Sequence, residues 1–254
     1  MLFRSYALTT NGSGTLSWAS VGGSTSDYQA FTSSGTWTKP ASGTYALIEC
    51  WGAGGSGCRT AGNYADTGGS GGGYVSVIKK LSDLTSTVTV TIGAGGASQT
   101  SNGSNGNDGG NSTFGSYATG YGGGGGQYQG TTANTGVSTG GGSKAGTQYY
   151  VTTSNVGTAE NAAHAVRFST PIWNGGGSAS VWYVGNYVGG YGQSSVYGGG
   201  SGAGNGPSAG SSQFGGAGGS SSGVAGSAPA GGGAYGLNTA SGAGARGEVR
   251  VTVW

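Results

Sequence analysis

Strict alternation of apolar and polar positions marks three stretches of this chain. Val88, Val90 and Ile92 fall on one side and Thr87, Thr89 and Thr91 on the other. Ala46, Ile48 and Cys50 alternate with Tyr45, Leu47, Glu49 and Trp51. Val249, Val251 and Val253 alternate with Glu248, Arg250, Thr252 and Trp254. A period of two signals a half-buried strand. Residues 73–79, with Tyr74, Val75, Val77 and Ile78, add a fourth stretch. The pattern predicts β-structure over residues 31–92, with the C-terminal strand returning to the sheet that the early strands form. Leu16, Trp18 and Val21 predict a short strand or extended arm within residues 1–30. That stretch is too short for a domain and suits docking or oligomerisation. Residues 161–167 could form two helical turns, below the length at which an unpacked helix holds. Essentially no α-helix is expected.

A different pattern lies between the first strands and the last. Glycine makes up 64 of the 254 residues, and only 6% are charged. Ordinary chains carry roughly 7% glycine and roughly 25% charged residues. Glycine loses more backbone entropy on folding than any other residue, so a chain this rich in it either stays disordered or uses a packing that glycine alone permits. Gly103, Gly106 and Gly109 recur at every third position. A polyproline-II helix has three residues per turn and no internal hydrogen bonds, so its buried backbone groups must bond to neighbours. Glycine at one edge lets such helices approach closely. The expectation is an array of packed polyglycine-II helices. Collagen is excluded, because the period is not sustained and only 4 prolines occur. Disorder and a flexible glycine-serine linker are the competing readings, and 15 Tyr, 6 Trp and 5 Phe count against both. Phe114, Tyr121, Tyr197, Phe214 and Tyr235 interrupt the tracts and are expected to cap the flanks of the array. The fold expected is thus all-β plus polyglycine-II: a small β-sandwich of early strands and the C-terminal strand, a glycine-rich array and exposed loops. Residues 31–254 form one glycine-rich domain, in which residues 146–191 break the pattern as an exposed loop insertion.

Charge narrows function by exclusion. A formal net charge of +2 with nine basic residues makes no electrostatic footprint for nucleic acid. No apolar run is long enough to insert in a membrane, and residues 1–6 lack the apolar stretch of a signal peptide. His164 is the one histidine. Asp27, Glu49, Asp66, Asp83, Asp108, Glu160 and Glu248 are scattered, and no local pair suggests the two carboxylates of a glycosidase. Cys50 and Cys58 do not have the spacing of a Cys-x-x-Cys metal pair. They flank a glycine turn, so a bridge is geometrically conceivable, while a reducing cytosol favours free thiols. Residues 52–57 follow a predicted strand but lack the Lys-Ser or Lys-Thr of a phosphate loop. No catalysis, cofactor or metal is expected. Recognition has the positive case, since Tyr and Trp offer large contact area at low entropic cost. The candidates are Tyr117, Tyr121 and Tyr128 on one side and Tyr149, Tyr150, Trp173, Trp182, Tyr183, Tyr187 and Tyr191 on the other.

Several short motifs follow one another in order: Phe31-Thr32 with Gly35-Thr36-Trp37-Thr38-Lys39-Pro40, Cys50-Trp51-Gly52-Ala53-Gly54-Gly55-Ser56-Gly57, Gly72-Gly73-Tyr74-Val75, Ile92-Gly93-Ala94-Gly95-Gly96, Asn111-Ser112-Thr113-Phe114-Gly115 and Gly244-Ala245-Arg246-Gly247-Glu248-Val249-Arg250-Val251. Together they resemble the glycine-rich domain of bacteriophage tail fibres and receptor-recognition adhesins, over residues 31–254. The resemblance implies a virion protein made in the host cytoplasm, other tail proteins as neighbours, and attachment to a bacterial surface glycan or outer-membrane protein. Residues 1–30 show no large fibre-capping module, so a self-assembling homotrimer is the expected form. The competing readings are a purely structural virion component, an antifreeze or cell-wall glycine-rich protein and, last, an enzyme.

Overall fold

A computed structural model describes residues 26–62, 66–128, 192–204 and 208–254 in full. It also describes the backbone of strands Tyr6–Thr10, Leu16–Ser20, Thr135–Ser138, Gln148–Val151, Ser178–Ala179, Val181–Tyr183 and Asn186–Val188. Eight strands build a sandwich: β1 (Asp27–Phe31), β2 (Gly35–Thr38), β3 (Tyr45–Trp51), β4 (Tyr74–Lys80), β5 (Thr87–Thr91), β6 (Ser112–Phe114), β7 (Ala118–Gly120) and β8 (Glu248–Val253). One antiparallel sheet has the order β1-β8-β3-β4 and the other β7-β6-β5-β2. The alternation read from sequence decides which side faces in. Ala46, Ile48 and Cys50 of β3, Val249, Val251 and Val253 of β8, and Val88 and Val90 of β5 are buried in one core with Trp37, Leu81, Leu84, Phe114 and Ala118. Trp37 meets Phe114 edge to face at 5.3 Å. The C-terminal strand does return to the early sheet, as the middle partner of β1 and β3. The sandwich begins at Asp27, four residues before the expected domain start at Phe31. One turn of 3-10 helix, Leu81–Asp83, breaks the otherwise all-β architecture.

Beyond the sandwich the glycine tracts form little regular ladder, a short parallel pair of Arg59–Thr60 with Gly236–Leu237 among it, and their backbone bonds rotate among neighbours. Gly52 and Gly55 donate to Gly73 and Ser70 of one segment. Ala53 and Ser56 donate to Gly110 and Asn107 of a second, and Gly54 and Gly57 to Ala245 and Gly242 of a third. Every third residue therefore returns to the same neighbour, with the acceptor number falling by three. Three more segments donate into the same tract. Gly123 and Gly126 bond Ala53 and Ser56, Gly233 bonds Gly55, and Gly96 bonds Gly54. Residues 52–57 are thus enclosed by six segments and wholly buried. Such closeness excludes side chains. A Cβ on Gly55 would lie 2.2 Å from the Gly124 carbonyl oxygen, and one on Gly109 2.2 Å from that of Ala53. Within residues 52–57, only Ala53 and Ser56 carry side chains, three apart.

A side-chain ladder supplements these bonds along one edge. Asn111, Asp108 and Asn105 accept, through their Oδ1 atoms, the N–H groups of Gly122, Gly125 and Tyr128 at 3.0, 2.8 and 2.9 Å. Two sequence expectations need correction. Phe114 does not cap the array; it is fully buried in the sandwich core, because β6 points Ser112 and Phe114 inward. Gly103, read as the first of a periodic glycine run, instead takes a left-handed turn conformation with φ +76°.

Candidate functional site

The hydrogen bonds give the array two ends. Residues 52, 73, 110, 121 and 247 lie where it joins the sandwich, next to β3, β4, β6, β7 and β8. The opposite end is a tip. There Arg59 bonds the carbonyl of Ser104 through its N–H and that of Thr239 through Nε, Asn238 bonds Thr60, Ser241 bonds Gln99, and Thr67 exchanges bonds with Gln127. Residues 59–62, 66–67, 97–104 and 237–241 therefore gather at this tip. Tyr128 lies there too, bonded to Asn105, and is the last described residue before 129–134. Gly192, which donates to Ser208, marks the return of the chain.

The candidate aromatics are distributed as follows. Tyr117 belongs to the sandwich. Its ring lies 6.1 Å from Phe114, and its hydroxyl accepts the N–H of Thr85. Tyr121 opens the tract 121–128 at the sandwich end, where its carbonyl accepts from Gly73. Tyr128 closes the same tract at the tip, where its N–H bonds Asn105. These three do not form one patch. Trp182 and Tyr187 are direct cross-strand partners in the pair Val181–Tyr183 and Asn186–Val188, where Tyr183 opposes Asn186. Tyr149 and Tyr150 lie in Gln148–Val151, opposite Val137 and Gly136. Trp173 and Tyr191 lie outside the described residues, as do Glu160, His164 and Arg167. Residues 146–191, read as a loop, thus contain paired strands.

A second aromatic array joins Tyr197 and Phe214, two of the expected flank residues, to Trp51 and Tyr74, which the sequence did not link to them. Trp51, Tyr74, Tyr197 and Phe214 follow one another at centroid distances of 4.8, 5.1 and 5.1 Å, the last two pairs stacked. Trp51 Nε1 donates to the Tyr197 carbonyl at 2.7 Å. Arg250 covers Trp51 at 4.5 Å and pairs with Glu248 at 2.7 Å, and Glu248 also holds Arg246 at 3.1 Å. Tyr74 donates its hydroxyl to Glu49 at 2.8 Å. Burial, followed by that hydrogen bond, pushes the Tyr74 phenol up to about 12. Burial opposes the Arg250 charge, but its bond to Glu248 outweighs this and the net shift is upward.

Both cysteines are free thiols. Cys50 lies in the sandwich core and burial raises it to about 12; Cys58 lies in the array, raised by burial and then by Asp66. Neutral buried thiols are poor nucleophiles and poor metal ligands. Among the described residues no three His, Cys, Asp or Glu side chains gather as a metal site.

A small sandwich prolonged by laterally bonded glycine segments, with a tip fed by several turns, defines a glycine-rich all-β scaffold protein. The family model of the glycine-rich domain matches residues 11–254, and the chain belongs to that family. No curated protein matches the chain in sequence.

Proposed function

We propose that this chain is a virion protein of a tailed bacteriophage, a tail-fibre or adhesin subunit that binds the host surface and does not catalyse. The observation that carries this reading is the geometry of the tip. The tract ending in Tyr128 and the tract beginning at Gly192 both have that end at the tip, and the sequence between them holds Tyr149, Tyr150, Trp173, Trp182, Tyr183, Tyr187 and Tyr191. Tracts of polyglycine-II type, each bonded to several neighbours, give this aromatic-rich stretch a stiff base at the end away from the sandwich. Tyrosine and tryptophan faces stack on sugar rings or apolar protein surface, so a surface glycan or an outer-membrane protein is the partner class. The subunit sits in the tail among other tail proteins and functions as a homotrimer. The test is excision of residues 129–191, bridged by a flexible glycine-serine link of about ten residues. The sandwich and array should keep their stability while adsorption to host cells is lost. Retained adsorption would remove these residues from the account.

A structural virion component without a receptor is the second reading. It is favoured by Tyr74, Tyr117 and Tyr197, which are all engaged in internal contacts. Binding of the purified intact chain to host cells separates the two readings.

A further inference from the structure

The outward side of the sheet β1-β8-β3-β4 carries an apolar strip. Tyr28, Ile78, Trp254 and Tyr45 are 59%, 62%, 41% and 38% exposed. Register makes them contiguous. Thr252 pairs with both Tyr28 and Leu47, and Leu47 pairs with Ile78, so one row crosses all four strands. At the neighbouring end the Tyr45 and Trp254 rings lie 6.3 Å apart. The outward positions of a sandwich strand are ordinarily polar, and a contiguous exposed apolar patch marks an interaction site.

The same chain carries a second feature that needs cover. Strands Tyr6–Thr10 and Leu16–Ser20 form an antiparallel hairpin and a sheet of their own. Leu8 opposes Trp18, Thr10 opposes Leu16 and Tyr6 opposes Ser20, so Tyr6, Leu8, Leu16 and Trp18 share one face. Ala7, Thr9, Ser17 and Ala19 share the other. An isolated two-stranded hairpin is marginal in water. Residues 1–25 contain one charged side chain, Arg4, so this face sets no charge of its own against the strip, whose charged border is Lys80, opposite Tyr45. Residues 21–26 join the hairpin to β1 and can span about 20 Å when extended, enough to carry it beyond the edge strand of its own sheet.

We infer that the hairpin of one chain seats on the outward strip of β1-β8-β3-β4 in a second copy, and that this contact closes the oligomer. The inference rests on the homotrimer reading above and supplies its interface. Hairpin and strip are different surfaces, so the contact is heterologous and repeats by rotation until the ring closes. With threefold symmetry, three hairpins cover three strips and no apolar face is left open.

Complementation tests it. The intact chain should sediment as one species of three times the chain mass. Leu8→Asp with Trp18→Asp removes the hairpin face, and Ile78→Asp interrupts the strip; each variant should be monomeric. Mixed, they retain one good hairpin and one good strip between them and should form a 1:1 dimer that cannot grow. The buried Cys50 and Cys58 thiols stay unreactive in any variant that keeps its fold, and Trp18→Ser and Ile78→Thr replace any variant in which they react. A monomeric intact chain, an oligomeric single variant or a mixture that stays monomeric overturns the inference. A ring of another size with the same complementation overturns the threefold symmetry alone. Sedimentation is independent of receptor binding, so a protein that closes through its hairpin yet fails to adsorb refutes only the receptor reading.

Discussion

Replacing Gly55 with alanine adds one methyl group at the centre of the array. Its Cβ would stand 2.2 Å from the Gly124 oxygen, more than an ångström inside ordinary contact at 3.4 Å, and 2.6 Å from the Gly124 carbon. Both obstacles are backbone, so no side chain can rotate away. The tract 121–128 must move outward instead. It is held by the bonds of Gly123 to Ala53, Gly126 to Ser56 and Ser70 to Gly124, each 2.8 or 2.9 Å long. Weakening three buried bonds at about 1 kcal/mol each, with about 1–3 kcal/mol of overpacking, outweighs the ~0.4–1 kcal/mol that alanine gains by restricting the unfolded chain. The net expectation is a loss of about 3–5 kcal/mol. At a urea slope of roughly 3 kcal/mol/M, the midpoint falls by roughly 1–1.7 M. Gly35→Ala is the matched control. A Cβ there meets only the Phe31 ring at 3.9 Å, so its midpoint should stay level or rise by the unfolded-state gain. Indistinguishable midpoints for the two variants would refute the close-packed array.

Two further perturbations probe the side-chain ladder and the core thiol. Asp108→Asn keeps a carbonyl oxygen for the Gly125 N–H and should stay within about 0.5 kcal/mol, whereas Asp108→Ala strands that donor and should cost about 1–2 kcal/mol in urea titration; equal losses would show the bond contributes nothing. The Cys50 thiol ionises near 9.0 unfolded and about 12 folded. The unfolded chain therefore loses its proton first, and this contribution to stability is full below pH 9 and declines toward pH 12. Cys50→Ala should flatten, without abolishing, the fall in urea midpoint over that range, because Cys58 and Tyr74 shift in the same direction. An unchanged slope would sink the assignment.

The sandwich was legible because its strands are long enough to show period two. Thr87–Thr91 and Glu248–Val253 match their alternating stretches almost residue for residue. Phe114 was misplaced because β6 has only three residues, too few to reveal alternation. In the array, composition disclosed the kind of packing but not which tracts adjoin, since one glycine backbone is chemically the same as another. The Trp51, Tyr74, Tyr197 and Phe214 stack was hidden for that reason: it unites residues that only the lateral order of the tracts brings together. Asn105, Asp108 and Asn111 did carry a readable signal, a three-residue period of side-chain acceptors.

The array also separates the sequence requirements of its tracts from those of the turns that join them. Its specificity resides in the backbone. The N–H and C=O groups of residues 52–57 satisfy neighbours in rotation, and the side-chain requirement there reduces to glycine at Gly52, Gly54, Gly55 and Gly57, with small residues at Ala53 and Ser56. Nothing in that rule refers to the turns joining one tract to the next. A hydrophobic core couples its sequence to every element packed on it, since volume changes of one methylene are felt. Here the core is confined to the sandwich, among residues such as Trp37, Ile48, Phe114 and Val251, at the opposite end from the chain's exit at Tyr128. Side-chain packing belongs to the sandwich and backbone packing to the array, so a substitution in a turn at the tip, such as at the exposed Thr239, touches neither the buried core nor the bonds of residues 52–57.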